Sequence, residues 1–131
     1  MIRFIDLFAG IGGIRRGVVN ALESYDIESQ CVLSSEIDEK ACETYVLNYH
    51  EYPQGDICKI DEIAPFDLLM AGFPCQPFSY AGERQGFGDT RGTLFFEVER
   101  LLEKQLDQYT PPHSMSLTGT PLIITAMLAL L

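Results

Sequence analysis

Basic residues are scarce in this chain. Nine Lys and Arg stand against 19 Asp and Glu, a formal net charge of −10 over 131 residues. Non-specific affinity for nucleic acid comes largely from cations that neutralise phosphates, so this stretch alone is a poor binder of DNA or RNA. Either a basic portion lies outside it, or nucleic acid is not its partner. The four cysteines, at 31, 42, 58 and 75, form no CxxC pair and no cluster with histidine, which argues against a zinc site. Met1 leads almost at once into strand-like sequence, with no basic segment ahead of an apolar run. That pattern is not a secretory leader, and the expectation is a cytoplasmic chain with free thiols. Residues 122–131 are almost wholly apolar, yet too few to cross a bilayer, which takes roughly 20. No internal repeat is visible. The length and a 47% hydrophobic share suit one small globular domain.

What is present alternates between two periods. Residues 2–7 are a short apolar run rich in β-formers, ending in Phe8, Ala9, Gly10, Ile11, Gly12 and Gly13. Ile14, Val18, Ala21 and Leu22 then recur at helical spacing, with Arg15 and Arg16 off that face. The reading is strand, glycine turn, helix. Residues 30–34 predict a second strand, and residues 39–49 a helix that packs Ala41, Tyr45 and Val46 inward. A turn at 52–57 leads into a short third strand, a brief helical turn falls at 61–64, and 66–71 is apolar enough for a fourth strand buried on both faces. Residues 72–92 have no period and carry five glycines, the mark of a long functional loop. Residues 93–106 predict a helix with Leu94, Val98, Leu101 and Leu102 on one side. This alternation argues for an α/β fold, a parallel sheet with helices on both faces. The sheet is incomplete, since a doubly wound domain of this type needs further strands.

The glycine turn lets a ligand approach the backbone closely. Its spacing, Gly10-x-Gly12-Gly13, is neither the GxGxxG dinucleotide fingerprint nor a P-loop, whose lysine is missing. Glu36 follows the second strand and Asp56 lies near the third. In such sheets ligands sit outside the carboxyl ends of the strands, so both acids would line one crevice. Glu36 suits a pair of ribose hydroxyls and Asp56 an adenine amino group. A cationic ligand without phosphates fits this acid-lined site, and S-adenosylmethionine fits better than NAD. The bland alternative is a tight turn beside solvated strand ends.

Cys75 sits between Pro74 and Pro77 on the loop after the fourth strand. The two prolines restrict the backbone and reduce the entropy lost in presenting a thiol. A thiolate near positive charge is a strong nucleophile, and Arg84 and Arg91 lie on the same loop. A lone cysteine is more often a small core residue, and that reading is applied to Cys31, Cys42 and Cys58. A Pro-Cys-Gln-Pro loop has poor packing logic as core, so Cys75 is read as a nucleophile.

Five segments in order then resemble the DNA (cytosine-5) methyltransferases: FIDLFAGIGG at 4–13, SEID at 35–38, GDI at 55–57, GFPCQPFS at 72–79 and GDTRGTLF at 88–95. The resemblance covers residues 2 to about 104. It implies a Rossmann-like S-adenosylmethionine-dependent methyltransferase fold, S-adenosylmethionine as methyl donor and a cytosine flipped out of double-stranded DNA as acceptor. Cys75 would add to C6 of the ring and make C5 nucleophilic. Phe8 would pack on the adenine, Gly10, Gly12 and Gly13 would form the turn against the cofactor, and Glu36 with Ile37 would hold the ribose end. Asp56 and Ile57 would contact the adenine, and Pro74 would lie beside both cofactor and base. Gln76, Ser79 and Arg91 would face the substrate. No metal is implied.

The family's next motif, a strand ending in Glu-Asn-Val whose Glu engages N3 of the cytosine, is missing from the sequence. From about Gln105 the character changes: 105–119 is polar and proline-bearing, and 122–131 apolar. Residues 1–104 are therefore read as a partial cofactor-binding catalytic domain and 105–131 as a divergent tail. The tail is either a strand or helix packed on the sheet or sequence never selected to fold; the abrupt switch at the expected motif favours the latter and suggests a frameshift or truncation. Four functions stay open: an inactive methyltransferase fragment, one half of a split enzyme completed by a C-terminal chain, an RNA cytosine-5 methyltransferase, and a non-catalytic S-adenosylmethionine-binding module.

Overall fold

The computed structural model describes residues 1–72, 90–108 and 122–125. Four strands, β1 (Ile2–Leu7), β2 (Ser29–Ser35), β3 (Leu68–Ala71) and β4 (Leu122–Thr125), form one parallel sheet in the order β2-β1-β3-β4. Three helices connect them: α1 (Gly13–Glu23), α2 (Glu39–Tyr49) and α3 (Thr90–Gln108). From β1 the chain steps one way to β2, and from β3 the other way to β4. Parallel crossovers are right-handed, so α1 and α3 must cover opposite faces.

The cores agree. Phe4, Leu68 and Met70 form one cluster with Ile14, Val18 and Val19 of α1. Ile5, Leu7, Leu33, Leu69 and Ala71 form the other, with Val98 and Leu101 of α3. Both faces of β3 are covered, and all four of its residues are buried. Residues 66–71 read as a strand for that reason, and Leu68–Ala71 is the part that pairs. Leu94 and Leu102 pack beside Val98 and Leu101 as their spacing predicts. Ala21 is exposed, and α1 buries no residue fully.

A bulge sets the register of β2. Phe4 pairs with Cys31 and Ile5 with Leu33, leaving Val32 extra. One added residue resets which side chains face which side. Cys31 consequently joins the α1 cluster while Leu33 joins the α3 cluster.

The strand expected near residue 57 does not form. Asp56 Oδ1 accepts from the Cys58 N–H at 3.0 Å, and residues Ile57–Lys59 close into a 3₁₀ turn. A side chain that bonds its own backbone competes with a sheet ladder, and here it wins. The helical turn expected at 61–64 is absent, since the chain makes its turn four residues earlier. Ile57 takes the inward position and Cys58 is exposed, which corrects its assignment as a core thiol. Cys42 is buried and Cys31 partly so.

The irregular stretch up to β3 finds its backbone partners on α3. Arg100 donates to the carbonyls of Ile57 and Ile60, both at 3.0 Å. The buried Gln105 side chain donates to the Phe66 carbonyl at 2.9 Å and accepts from the Phe66 N–H at 3.4 Å. Backbone groups near a core must be paired somewhere, and α3 supplies that pairing. This helix begins three residues before and ends two residues after the span 93–106 read from the sequence. In the tail, Leu122–Thr125 pair in parallel with Leu68–Ala71, so for these four residues a strand on the sheet is what forms. The expected loop at 72–92 lies outside the described residues, apart from Gly72 and the first turn of α3.

Candidate functional site

The site grows from the carboxyl end of β1. Leu7 ends the strand, and the chain turns through Phe8 (φ 55°), Gly10 (φ 56°) and Gly12 (φ 84°). A phenylalanine in the left-handed region is strained by roughly 1–2 kcal/mol, which the surrounding bonds must offset. The Ala9 N–H donates to the Ser35 carbonyl at 2.9 Å, tying the turn to β2. The Gly12 N–H donates back to Ala9 at 2.8 Å, and Gly12 caps α1 without a side-chain cap. The glycines are not equivalent. Among the described residues a Cβ on Gly10 or Gly13 would meet nothing within 4 Å, whereas on Gly12 it would lie 2.1 Å from Tyr49 Cε2. Two of the three leave open space for a ligand, and the third makes room for α2.

Glu36 closes the turn from the side. Its Oε2 accepts from the Gly10 N–H at 2.8 Å, and its Oε1 accepts from the N–H groups of Ile37 and Asp38 at 2.8 and 2.9 Å. Ile37 is 76% exposed beside it. The Asp56 segment is fastened to the same strand end. Gln54 N–H donates to the Ser34 carbonyl and Ser35 Oγ donates to the Gly55 carbonyl, each at 2.8 Å. The Cys58 N–H holds the Asp56 carboxyl below its ordinary pKa, so it is charged at neutral pH. Ile57 is a core residue, 1% exposed. On the other side, the Gly72 N–H donates to the Leu7 carbonyl at 3.2 Å. Phe8, Gly10, Gly12, Gly13, Glu36 and Asp56 thus share one rim, and Gly72 begins the segment that carries Pro74, Cys75, Gln76 and Ser79. Those four lie outside the described residues, and Arg91 falls in the first turn of α3.

Behind the rim is a polar network that periodicity alone did not reveal. Arg15, expected off the packed face, lies 4.1 Å above the Tyr49 ring and also faces the rings of Phe4 and Tyr45. It donates to Tyr45 Oη at 2.7 Å and to Glu51 Oε1 at 2.6 Å. Tyr45 in turn donates to Asp6 Oδ2 at 3.2 Å, and Ser34 Oγ donates to Glu51 Oε1 at 3.0 Å. Asp6 is 1% exposed, and its Oδ1 has no hydrogen-bond partner among the described residues. Burial pushes its pKa up to about 7, against the opposing pull of Tyr45 and Arg15, with Glu51 and Glu36 adding to the rise. The spacing of Tyr45, Asn48 and Tyr49, at i, i+3 and i+4, was the available signal for a second functional face on α2.

A groove of about 710 Å³ lies elsewhere, lined by Met1, Val19, Asp26, Ile27 and Tyr49 among others. It contains none of the rim acids, though Arg15, Asn48 and Tyr49 also line it from behind the turn. Among the described residues no cluster of His, Cys, Asp and Glu could hold a metal ion, and no helix is long and apolar enough to cross a membrane.

Residues 2–110 match the family of C-5 cytosine-specific DNA methylases. The type II methyltransferase M.BanI of Aneurinibacillus aneurinilyticus is 69% identical over 101 residues, 77% of this chain and 24% of its own length. M.HgiCI of Herpetosiphon aurantiacus is 63% identical over 103 residues, again 24% of its length. The chain therefore spans about a quarter of these relatives. The crystal structure of the S. pombe Dnmt2 methyltransferase superposes with a TM-score of 0.60 at 24% identity, covering 95% of this chain and 35% of that one. The fold is thus a Rossmann-like methyltransferase sheet, present in part. On the family match across residues 2–110, the chain belongs to the C-5 cytosine-specific DNA methylases.

Proposed function

We propose that this chain supplies the cofactor half of a DNA (cytosine-5) methyltransferase that uses S-adenosylmethionine. The observation that carries the reading is the rim: an open glycine turn bonded to Glu36, with Asp56 beside it and Gly72 leading to Cys75. The fit is chemical. Gly10 and Gly13 leave room at the backbone, the uncapped N-terminus of α1 suits a carboxylate, and two acids suit ribose hydroxyls and an exocyclic amine. Glu36 and Ile37 would hold the ribose end, Phe8 and Asp56 the adenine, and Pro74 the reacting end. The bound cofactor would supply a methyl carbon made electrophilic by a sulfonium.

In the proposed reaction Cys75, as thiolate, adds to C6 of a flipped cytosine and places electron density on C5. Once C5 carries the methyl group, loss of its proton and departure of the Cys75 sulfur restore the aromatic ring. Gln76, Ser79 and Arg91 would hold the DNA near that sulfur. The sequence has no Glu-Asn-Val to bind N3 of the base, so the reaction is assigned to a protein in which a C-terminal portion, on the same or a partner chain, completes the site. Residues 1–104 form the cofactor unit in this reading.

Calorimetric titration of the chain with S-adenosylmethionine tests the first half. Saturable binding that weakens by about ten-fold in Glu36→Gln is expected, the loss of a charge-assisted hydrogen bond. No binding to the folded wild-type chain would refute it. Covalent capture of a 5-fluorocytosine duplex, with the complementing portion present, tests the second half, and Cys75→Ser should abolish it. Cofactor binding without capture would instead indicate a non-catalytic binding module.

A further inference from the structure

The glycine turn is gripped from behind by α2. Asn48 Nδ2 donates to the Ile11 carbonyl at 3.0 Å, and Tyr49 Oη donates to the Gly12 carbonyl. The Tyr49 ring fills the space where a Gly12 side chain would be. Arg15 stacks on that ring from the first turn of α1 and bonds Tyr45, one turn back along α2. Residues 45, 48 and 49 share one helix face, so a single rigid surface meets two consecutive peptide groups of the turn.

That grip has a directional consequence. A trans peptide is planar, with its C=O and N–H pointing opposite ways. The Gly12 carbonyl, which also accepts from the Arg16 N–H at 3.0 Å, is held from a second side by Tyr49, so the Gly13 N–H is aimed away from α2, and fixing the Ile11 carbonyl orients the peptide before it. Gly13 faces open space, and its N–H opens α1, a helix with no side-chain cap.

We propose that Asn48 and Tyr49 are positioning residues for the cofactor: by holding the carbonyls of Ile11 and Gly12, they direct the first N–H groups of α1 into the crevice. This rests on the cofactor reading above. A loosened turn would still fold, because β1 is held by β2 and β3, but it would sample orientations in which those donors miss the ligand. Ligand affinity then falls by the cost of re-ordering the turn.

The test uses the full 131-residue chain, with Asn48→Ala, Tyr49→Phe and the double variant. Asn48 is exposed and Phe keeps the ring, so folding is spared. Two quantities are read: amide exchange at Gly10–Ile14 against that of Ile5–Leu7, and the Kd for S-adenosylhomocysteine beside the unfolding midpoint. The expected result for the double variant is faster exchange confined to the turn and a Kd raised about ten-fold, two modest hydrogen bonds' worth, with a nearly unchanged midpoint. Wild-type binding with no change in Kd for the double variant overturns the positioning role and leaves the cofactor reading standing. A Kd that rises only in step with a falling midpoint and with faster exchange in β1 also overturns it, as general destabilisation. A folded wild type that takes up no ligand overturns both readings together.

Discussion

At Gly12 a methyl group would overlap the Tyr49 ring at 2.1 Å and would have to adopt a φ of 84°, while at Gly13 it would meet nothing. Stability and binding should therefore separate along this short segment. Gly12→Ala is expected to cost about 2–4 kcal/mol, overpacking added to backbone strain. Gly13→Ala lies inside the first turn of a helix, where Ala is favoured over Gly by about 1 kcal/mol, so the fold should be unharmed or firmer. Under the proposed cofactor reading its methyl would nonetheless occupy the ligand's approach. Urea unfolding and a cofactor titration on the two variants check this, and equal unfolding curves would contradict the packing described at Gly12. The three glycines were legible as a turn because a strand period stops at them. Which one makes room for protein and which for ligand was not legible, since Tyr49 lies 37 positions away.

The elements show the same division. β1, α2 and the buried face of α3 follow directly from periods of two and 3.6 residues. Two features escaped because they are local competitions or long-range meetings. The Asp56 side chain takes the Cys58 N–H and turns a would-be strand into a 3₁₀ turn, an outcome that apolar spacing does not encode. Arg15 stands off the apolar face of α1 by its spacing, yet the rings of Phe4, Tyr45 and Tyr49 gather around it. Asp6 joins β1 to α2 through Tyr45, and its burial carries a pH signature. Its folded pKa of about 7 stands above the ordinary carboxylate value of 3.8. The folded state therefore binds the extra proton, and the associated stability is fully present below pH 4 and lost as pH rises to 7. Asp6→Asn removes that charge and keeps an acceptor for Tyr45. Relative to wild type it should be more stable at pH 8, by at most about 4 kcal/mol, with the difference closing near pH 4. Denaturation midpoints at pH 4, 6 and 8 measure it. A variant less stable at pH 8 would mean that Asp6 is ionised and held by Arg15.

For the molecule as a whole, charge and coverage point the same way. With a net charge of −10, the isolated chain should leave duplex DNA unshifted in a gel at physiological salt, and retention that weakens steeply with salt would contradict this. Adding a complementing C-terminal portion should restore both DNA retention and Cys75-dependent capture. The parallel sheet with helices on both faces is legible in the α/β alternation, whereas the strand order β2-β1-β3-β4 is not encoded by it. The placement of residues 122–125 beside β3 could not be read from their composition, because an apolar run has no period to say what it pairs with.

Three seams of the rim run between main-chain groups: Ala9 to Ser35, Gln54 to Ser34 and Gly72 to Leu7. Such seams are indifferent to most exchanges of side chain at the positions they join. Hybrids that splice this chain's first 72 residues onto the body of a distant cousin should therefore keep the mouth of the crevice in shape. Mismatches would be felt instead where side chains do the joining, at Glu36, at Ser35 and along the helices.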